Sequence, residues 1–334
     1  MEHQGHSKIK NNMIYKTRRQ HPWGIIVIKN KLIVVTGGAG FIGSHIAWEL
    51  SKENDVVIID NLYTGKRENS PPGTKFIQAD IRDYEAIAEV ISSADYVFHE
   101  AAIVSVVESI EKPLFTEEVN VLGTLNILRA LMEGSGKLIF ASSAAVYGNN
   151  PNLPLRENEK PKPMSPYGVT KVSSEHYLRV FHELYGIPTV ALRYFNVFGP
   201  RQGANQYAGV ISIFISRALK DEPLIIFGDG KQTRDFIYVK DVVRANILAA
   251  ESRKANGRIF NVARGERTTI LELAMKIIEI TGANTSVLFD KPRPGDIRHS
   301  QADITEIRKL GFEPKWSVED GLKKTVEWYR RTMK

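Results

Sequence analysis

The sequence predicts an α/β protein, a doubly wound parallel sheet followed by a smaller C-terminal α/β cap. Three observations lead there. Leu32 to Val35 is an apolar, mostly β-branched run that ends in Thr36 and a cluster of glycines. Such a run suits a strand buried on both faces of a parallel sheet. Apolar strands then alternate with amphipathic helices from Asp55 to about Tyr194, as successive βα units do. Beyond Tyr194 the strands shorten, Gly and Pro increase, and the loops become rich in Arg. At 334 residues the chain suggests about two domains. They are read as 31–194, with later segments returning to it, and 195–334.

The elements follow in order. Thr36-Gly37-Gly38-Ala39-Gly40-Phe41-Ile42-Gly43 joins the first strand to a helix expected over Phe41 to Lys52. Gly37 and Gly38 turn the chain sharply, Gly40 lets backbone approach a pyrophosphate, and Gly43 lets the helix sit tight on the sheet. The helix N-terminus then aims its amides at phosphate. Asp60 ends the next apolar run (Val56–Ile59), close to the offset expected of the acidic partner in a dinucleotide fingerprint. A lone glycine cluster would be an ordinary turn, but the strand before it and the acid after it make a Rossmann-type nucleotide site the better reading. Asp60 would accept hydrogen bonds from the adenosine ribose and repel a 2′-phosphate, favouring NAD over NADP. Lys66 and Arg67 nearby pull the other way. Asp80-Ile81, after the third strand, would border the adenine.

Further strands are expected at Lys75–Gln78, Tyr96–His99, Lys137–Ala141 and Thr189–Arg193, and helices near Tyr84–Ser92, Pro113–Glu133 and Tyr167–Tyr185. In the second half, Thr269 with Glu272 reads as a capping box, and Ser317 with Asp320 opens a last amphipathic helix.

Composition narrows the function. Hydrophobic content of 43% and charged content of 25% are ordinary for a globular chain. There is no cysteine, which excludes disulfides, thiolate chemistry and Cys-ligated zinc. The histidines show no paired ligand spacing, so no metal is expected. No apolar run reaches the ~18 residues that span a bilayer. The net charge of +7 belongs to the N-terminus: residues 1–31 carry seven Lys or Arg against one acid. Residues 1–30 are read as a basic, disordered extension, with a surface-binding arm as the alternative, and no nucleic-acid stripe runs through the body.

The chemistry is expected at Ser142-Ser143 and, some twenty residues later, at Tyr167-Gly168-Val169-Thr170-Lys171. Residues at i and i+4 share one helix face, so the Lys171 ammonium can sit near the Tyr167 phenol. A tyrosine ionising near pH 10 is a poor base at neutral pH. Lowering that by ~3 units requires about 4 kcal/mol. An ammonium ~5 Å away supplies about 3 kcal/mol at an effective dielectric near 20, and a positive nicotinamide ring the remainder. Ser143 would hold a sugar hydroxyl and the phenol in one proton-transfer line.

At these residues the chain resembles the extended short-chain dehydrogenases/reductases, and within them the NAD-dependent nucleotide-sugar epimerases of the UDP-glucose 4-epimerase type. The resemblance runs from about Leu32 to the C-terminal helix. It rests on the glycine loop, Asp60-Asn61-Leu62, His99-Glu100-Ala101-Ala102, Asn120-Val121-Leu122-Gly123-Thr124, Ser142-Ser143, Tyr167 with Lys171, Leu192 to Pro200, and Arg234 to Val239. It implies a redox-neutral cycle. Tyr167 takes the proton of the sugar 4′-hydroxyl while the C4 hydride moves to NAD, and the 4-keto sugar turns over and takes the hydride back.

The resemblance further implies that Phe41, Ile42, Asn61, Leu62, Thr64, Gly65, Ala101, Ala102 and Phe195 help hold NAD. Asn196, Arg234 and Arg293 would hold the diphosphate, Phe227 with Ile225 and Ile226 would line the uracil pocket, and Val210 would contact the substrate. Ser300 falls where members restricted to non-acetylated sugars carry a tyrosine. Ala144-Ala145 stands where dehydratases and sugar-acid decarboxylases carry an acid, which ranks epimerase above them, and Val104 replaces a lysine that some members use on the cofactor. A UDP-glucuronate 4-epimerase, a dehydratase and a non-catalytic NAD-binding regulator remain alternatives. Family likeness implies a cytoplasmic homodimer through the helices at Pro113–Glu133 and Tyr167–Tyr185.

Overall fold

The computed structural model describes residues 28–203, 209–292 and 297–333. Residues 1–27 and Arg293 lie outside these residues; the end of the expected extension is ordered, since Ile28 is buried in the sheet's apolar layer and its carbonyl accepts from Asn54 at 2.9 Å. The framework is a seven-stranded sheet, parallel throughout. Six strands come from the first half: β1 (Leu32–Thr36), β2 (Asp55–Ile59), β3 (Lys75–Ile77), β4 (Tyr96–His99), β5 (Lys137–Ser143) and β6 (Thr189–Tyr194). The seventh, Arg258–Val262, pairs along β6 and comes from the second half. Across the sheet the order is β3, β2, β1, β4, β5, β6, then Arg258–Val262. The winding reverses between β1 and β4, and in sheets of this kind ligands bind in the crevice outside the carboxyl ends of the strands at that reversal.

The expected strands and helices lie within a few residues of their predicted positions because both faces of the sheet are covered. One apolar layer gathers Ile33, Val35, Ile46, Phe98 and Phe260, and the other Val34, Ile59, Val97, Ile127 and Phe140. Helices α1 (Phe41–Leu50), α2 (Tyr84–Ser92), α3 (Val106–Glu111), α4 (Pro113–Glu117), α5 (Gly123–Leu131) and α6 (Pro166–Tyr185) flank it. Two features differ from expectation. The short helix α3, capped by Ser105 on the Glu108 amide at 3.1 Å, had no visible period in the sequence. Between α4 and α5 the turn Glu118–Leu122 is π-wound. That widening carries Asn120 inward, where it bonds both main-chain groups of Ile103 and the Thr170 hydroxyl. π-turns of this kind concentrate at functional sites.

Helix Val239–Glu251 returns to the sheet, burying Val242, Ala245 and Ala249 in its first apolar layer, and Ile307 joins it there. A smaller unit packs around Phe214, Leu273 and Leu322 from helices Val210–Ala218, Ile270–Thr281 and Val318–Thr332. The capping box at Thr269 and Glu272 is present, and Ser317 caps the last helix. A parallel pair, Leu224–Phe227 with Val287–Asp290, edges this unit. Ile226 is 1% exposed and turned into this core, whereas Ile225 and Phe227 alternate to the other face. Residues along a strand point to opposite faces in turn, so Ile226 does not share a pocket wall with Phe227. No described helix is long and apolar enough to cross a membrane.

Candidate active site

The loop from Gly37 to Gly43 opens onto the crevice between β1 and β4. Gly37 has φ 68°, and a Cβ on it would meet the Ala101 nitrogen at 2.6 Å. A Cβ on Gly43 would lie 2.3 Å from the Gly37 carbonyl oxygen. Both glycines are therefore required by close backbone approach. Gly40 precedes α1 without a side-chain cap, so the first-turn amides, Phe41 and Ile42 among them, have no side-chain acceptor. A helix N-terminus in that condition is a ready anion site, and the loop fits a dinucleotide pyrophosphate.

Asp60 ends β2 beside this loop. Its carboxylate accepts from the Ala39 and Leu62 amides at 3.0 and 2.8 Å. Burial raises its pKa while those two amides resist the rise. Gly65 folds back on it, and Thr64 is exposed in the same loop. Asn61 reaches Asp80 at 2.9 Å, and Arg82 grips Asp80 with two nitrogens, each at 3.0 Å. Arg82 is the main reason the Asp80 pKa falls to about 2. Ile81 is buried against Gly123. Ala101 and Ala102 line the β4 side of the crevice, half-buried. Behind them the Thr124 hydroxyl donates to the Asn120 carbonyl at 2.6 Å and accepts from His99 Nε2, leaving Nδ1 to accept from Thr36. Phe195 is fully buried with its ring against Tyr147, so a cofactor would meet only its main chain.

Across the crevice stands α6, opened by Ser165 on the Gly168 amide and by Pro166 at its first turn. Tyr167, Lys171 and Glu175 follow at four-residue spacing and face inward, 9%, 3% and 5% exposed. Ser143, at the end of β5, accepts from the Ala145 amide at 3.1 Å, and its hydroxyl favours ionisation of the Tyr167 phenol. Lys171 Nζ donates to the Ala141 carbonyl at 2.8 Å and lies 5.9 Å from the centre of the Tyr167 ring. Burial dominates both groups: it raises the phenol above its ordinary value and lowers Lys171 to about 8. The Ser143 hydroxyl opposes the first shift, and the carboxylates of Glu100 and Glu175 oppose the second.

Two arrangements were not anticipated. Arg193 donates to both oxygens of Glu175 at 2.8 and 2.7 Å, and also to the Tyr147 hydroxyl; Ser142 donates to Glu175 at 2.5 Å. This buried pair ties α6 to β5 and β6 beneath Ser143. The other is Glu100, whose pKa burial raises to about 7 and whose Oε1 accepts from the Tyr194 hydroxyl at 2.8 Å.

On the cap side, Asn196 donates to the Asp235 carbonyl at 3.1 Å and Arg234 to the Thr233 carbonyl at 2.9 Å. Val210 begins its helix half-buried. Ser300 is 8% exposed and bonds Thr233 through its amide at 3.1 Å, so it is not a solvent-facing loop hydroxyl.

A doubly wound sheet that presents a glycine loop opposite a Tyr-x-x-x-Lys helix has the layout of the extended short-chain dehydrogenases/reductases. Residues 33–263 match the NAD dependent epimerase/dehydratase family, and the chain belongs to it. It is an NAD-dependent enzyme of the isomerase class. A solved UDP-N-acetylglucosamine 4-epimerase from Methanobrevibacter ruminantium M1, in complex with UDP-N-acetylmuramic acid, is 47% identical. The match covers 92% of this chain and 100% of that one, with a TM-score of 0.89. The UDP-glucose 4-epimerase of Thermus thermophilus in complex with NAD is 41% identical, covering 90% and 99% of the two chains at a TM-score of 0.84. A UDP-N-acetyl-alpha-D-glucosaminuronate decarboxylase of Bacillus cytotoxicus is 39% identical over 317 residues, 90% of this chain and 98% of its own.

Proposed function

We propose that the chain inverts C4 of a UDP-hexose, either UDP-glucose/UDP-galactose or their N-acetylated forms. The observation that carries this reading is the inward face of α6, on which the buried Tyr167 and, one turn along, Lys171 stand, with Lys171 held on the Ala141 carbonyl of the strand that ends in Ser143. Tyr167 takes the proton of the sugar 4′-hydroxyl, and Ser143 aligns that hydroxyl with the phenol. Lys171, a cation anchored on the Ala141 carbonyl, favours the phenolate. NAD, when bound, supplies the hydride acceptor and donor at sugar C4. The Gly37–Gly43 loop with Phe41 and Ile42 would hold its pyrophosphate. Asp60, Asn61, Leu62, Thr64 and Gly65 would hold its adenosine ribose, with Asp80 and Ile81 beside the adenine and Ala101, Ala102 and the Phe195 main chain toward the nicotinamide. Asn196, Arg234 and Arg293 hold the diphosphate in this reading, and Val210, Ile225 and Phe227 the uridine.

The protein would act as a homodimer. Leu114 and Leu122 in the Pro113–Glu133 stretch, and Val169 and Tyr177 on α6, are exposed apolar residues on the helices expected to pair; sedimentation would read the mass.

The test incubates purified protein with UDP-glucose, UDP-N-acetylglucosamine and UDP-glucuronate in turn, without added cofactor, and resolves the products by proton NMR. Appearance of the C4 epimer of either hexose supports the reading. Epimerisation or carbon dioxide release from UDP-glucuronate alone would replace it.

A further inference from the structure

Glu100 is a carboxylic acid at the carboxyl end of β4, in the crevice, with no part in the mechanism above. Its neighbours come from three other elements. Glu100 follows His99, which pairs with Phe140, so it stands beside Ala141, whose carbonyl takes the Lys171 ammonium at 2.8 Å. Lys171 thus reaches from α6 to the strand end next to Glu100, and the Glu100 charge raises the proton affinity of both Lys171 and Tyr167. From β6, the Tyr194 hydroxyl donates to its Oε1 at 2.8 Å. From helix Val239–Glu251, Asn246 donates to that same hydroxyl at 2.8 Å and so orients it. The main chain at Glu100 is anchored too: its amide donates to the Thr36 carbonyl at 3.1 Å, and its carbonyl carbon would lie 2.8 Å from a Cβ on Gly37. The remaining titratable neighbour on β4, His99, is a neutral imidazole whose nitrogens are both bonded to threonines.

Lys171 makes its hydrogen bond to a neutral carbonyl rather than to an acid. Burial works against its charge, and a buried ammonium without a nearby anion gives up its proton. Two carboxylates oppose that. Glu175 is already engaged by two of the three guanidinium nitrogens of Arg193. Glu100 has only neutral donors on it among the described residues, so its charge is the less compensated of the two.

Given Tyr167 as base and Lys171 as its ammonium, we propose that Glu100 is a positioning residue that sets the protonation of this pair. Its carboxylate, once ionised and held by Tyr194, helps Lys171 keep its proton and restrains Tyr167 from ionising before substrate and cofactor are seated. The charge on Glu100, not its hydrogen bond, carries the effect. Glu100→Gln removes the charge and keeps an acceptor for Tyr194; Glu100→Asp keeps the charge.

The first measurement needs no turnover. Isotope-labelled lysine side chains are titrated by NMR in the wild type and both variants, with the Lys171 signal assigned by its disappearance in Lys171→Met. The Lys171 midpoint should fall by at least half a pH unit in Glu100→Gln and stay near the wild-type value in Glu100→Asp. The second measurement is the pH profile of kcat/KM with UDP-galactose. Glu100→Gln should move both limbs to lower pH together. A lowered plateau with unmoved limbs and an unmoved Lys171 midpoint would overturn the proposal. So would Gln and Asp variants that shift alike. Failure here leaves the base assignment standing if Tyr167→Phe is inactive; an active Tyr167→Phe removes the assignment itself.

Discussion

Replacing Lys171 with methionine isolates the charge that the mechanism asks of it, because methionine fills similar volume without an ammonium. The Lys171 nitrogen lies 5.9 Å from the Tyr167 ring centre. At that separation and an effective dielectric of about 20, a unit charge pair is worth about 2.8 kcal/mol, equivalent to about 2 pKa units. Lys171 ionises near pH 8, so its charge is present through the neutral range. Losing it should move the acid limb of kcat/KM upward by about 2 pH units, costing about a hundredfold well below the limb and progressively less above it. The assay follows UDP-galactose to UDP-glucose by NMR across the pH range, with NAD added in excess so that cofactor loss does not intrude. A uniform loss at every pH, with the limb unmoved, would refute the electrostatic reasoning. Lys171 would then matter only as the donor to the Ala141 carbonyl.

Tyr167→Phe should lower kcat by at least the ~100-fold typical of losing a positioned acid–base group; near-normal turnover would identify another base. Gly43→Ala sets a methyl 2.3 Å from the Gly37 oxygen, so it should cost about 1–3 kcal/mol and bound NAD, read as a lowered Tm and an empty supernatant after denaturation. Ser300→Tyr should suppress turnover of the N-acetylated pair relative to the plain pair, and an unchanged ratio of kcat/KM would remove Ser300 from the specificity argument. Burial first, and then the charge of Arg201, hold His45 down to about 4. The unfolded chain therefore takes up that proton first, from about pH 6.5, and stability falls from there toward pH 4. His45→Gln should flatten that part of the thermal stability profile, and an unaltered slope would exclude His45 as its cause.

The sheet was readable because strands covered on both faces leave long β-branched runs such as Leu32 to Val35 and Val56 to Ile59, while turns announce themselves with glycine. The glycine loop, Asp60 and the Tyr167–Lys171 spacing were readable for the same reason: each is a local pattern. The π-turn at Glu118 was not, since the apolar period of Pro113–Glu133 passes through it unchanged and only the inward turn of Asn120 marks it. Nor were Arg193 with Glu175, which meet across 18 positions, or Glu100 with Tyr194, across 94. Contacts of that range leave no spacing. An acid closing the apolar strand Tyr96–His99, at the edge where such sheets bind ligands, was the one available signal for Glu100. Ile226 was assigned to the pocket wall by proximity to Phe227, where the two-residue alternation of a strand assigns it to the core.

The strand Arg258–Val262 has a consequence for synthesis. A ribosome releases the chain from the N-terminus, so β1 to β6 emerge together, while the partner that closes the β6 edge follows some sixty residues later. Until then Thr189–Tyr194 presents an unpaired row of amides and carbonyls, and exposed edges of that kind recruit other strands. Translation past Val262 therefore covers the β6 edge and makes Arg258–Val262 the outer strand of the finished sheet. Nascent chains arrested before Arg258 should be bound by chaperones or captured by one another, and those arrested well beyond Val262 should resist protease.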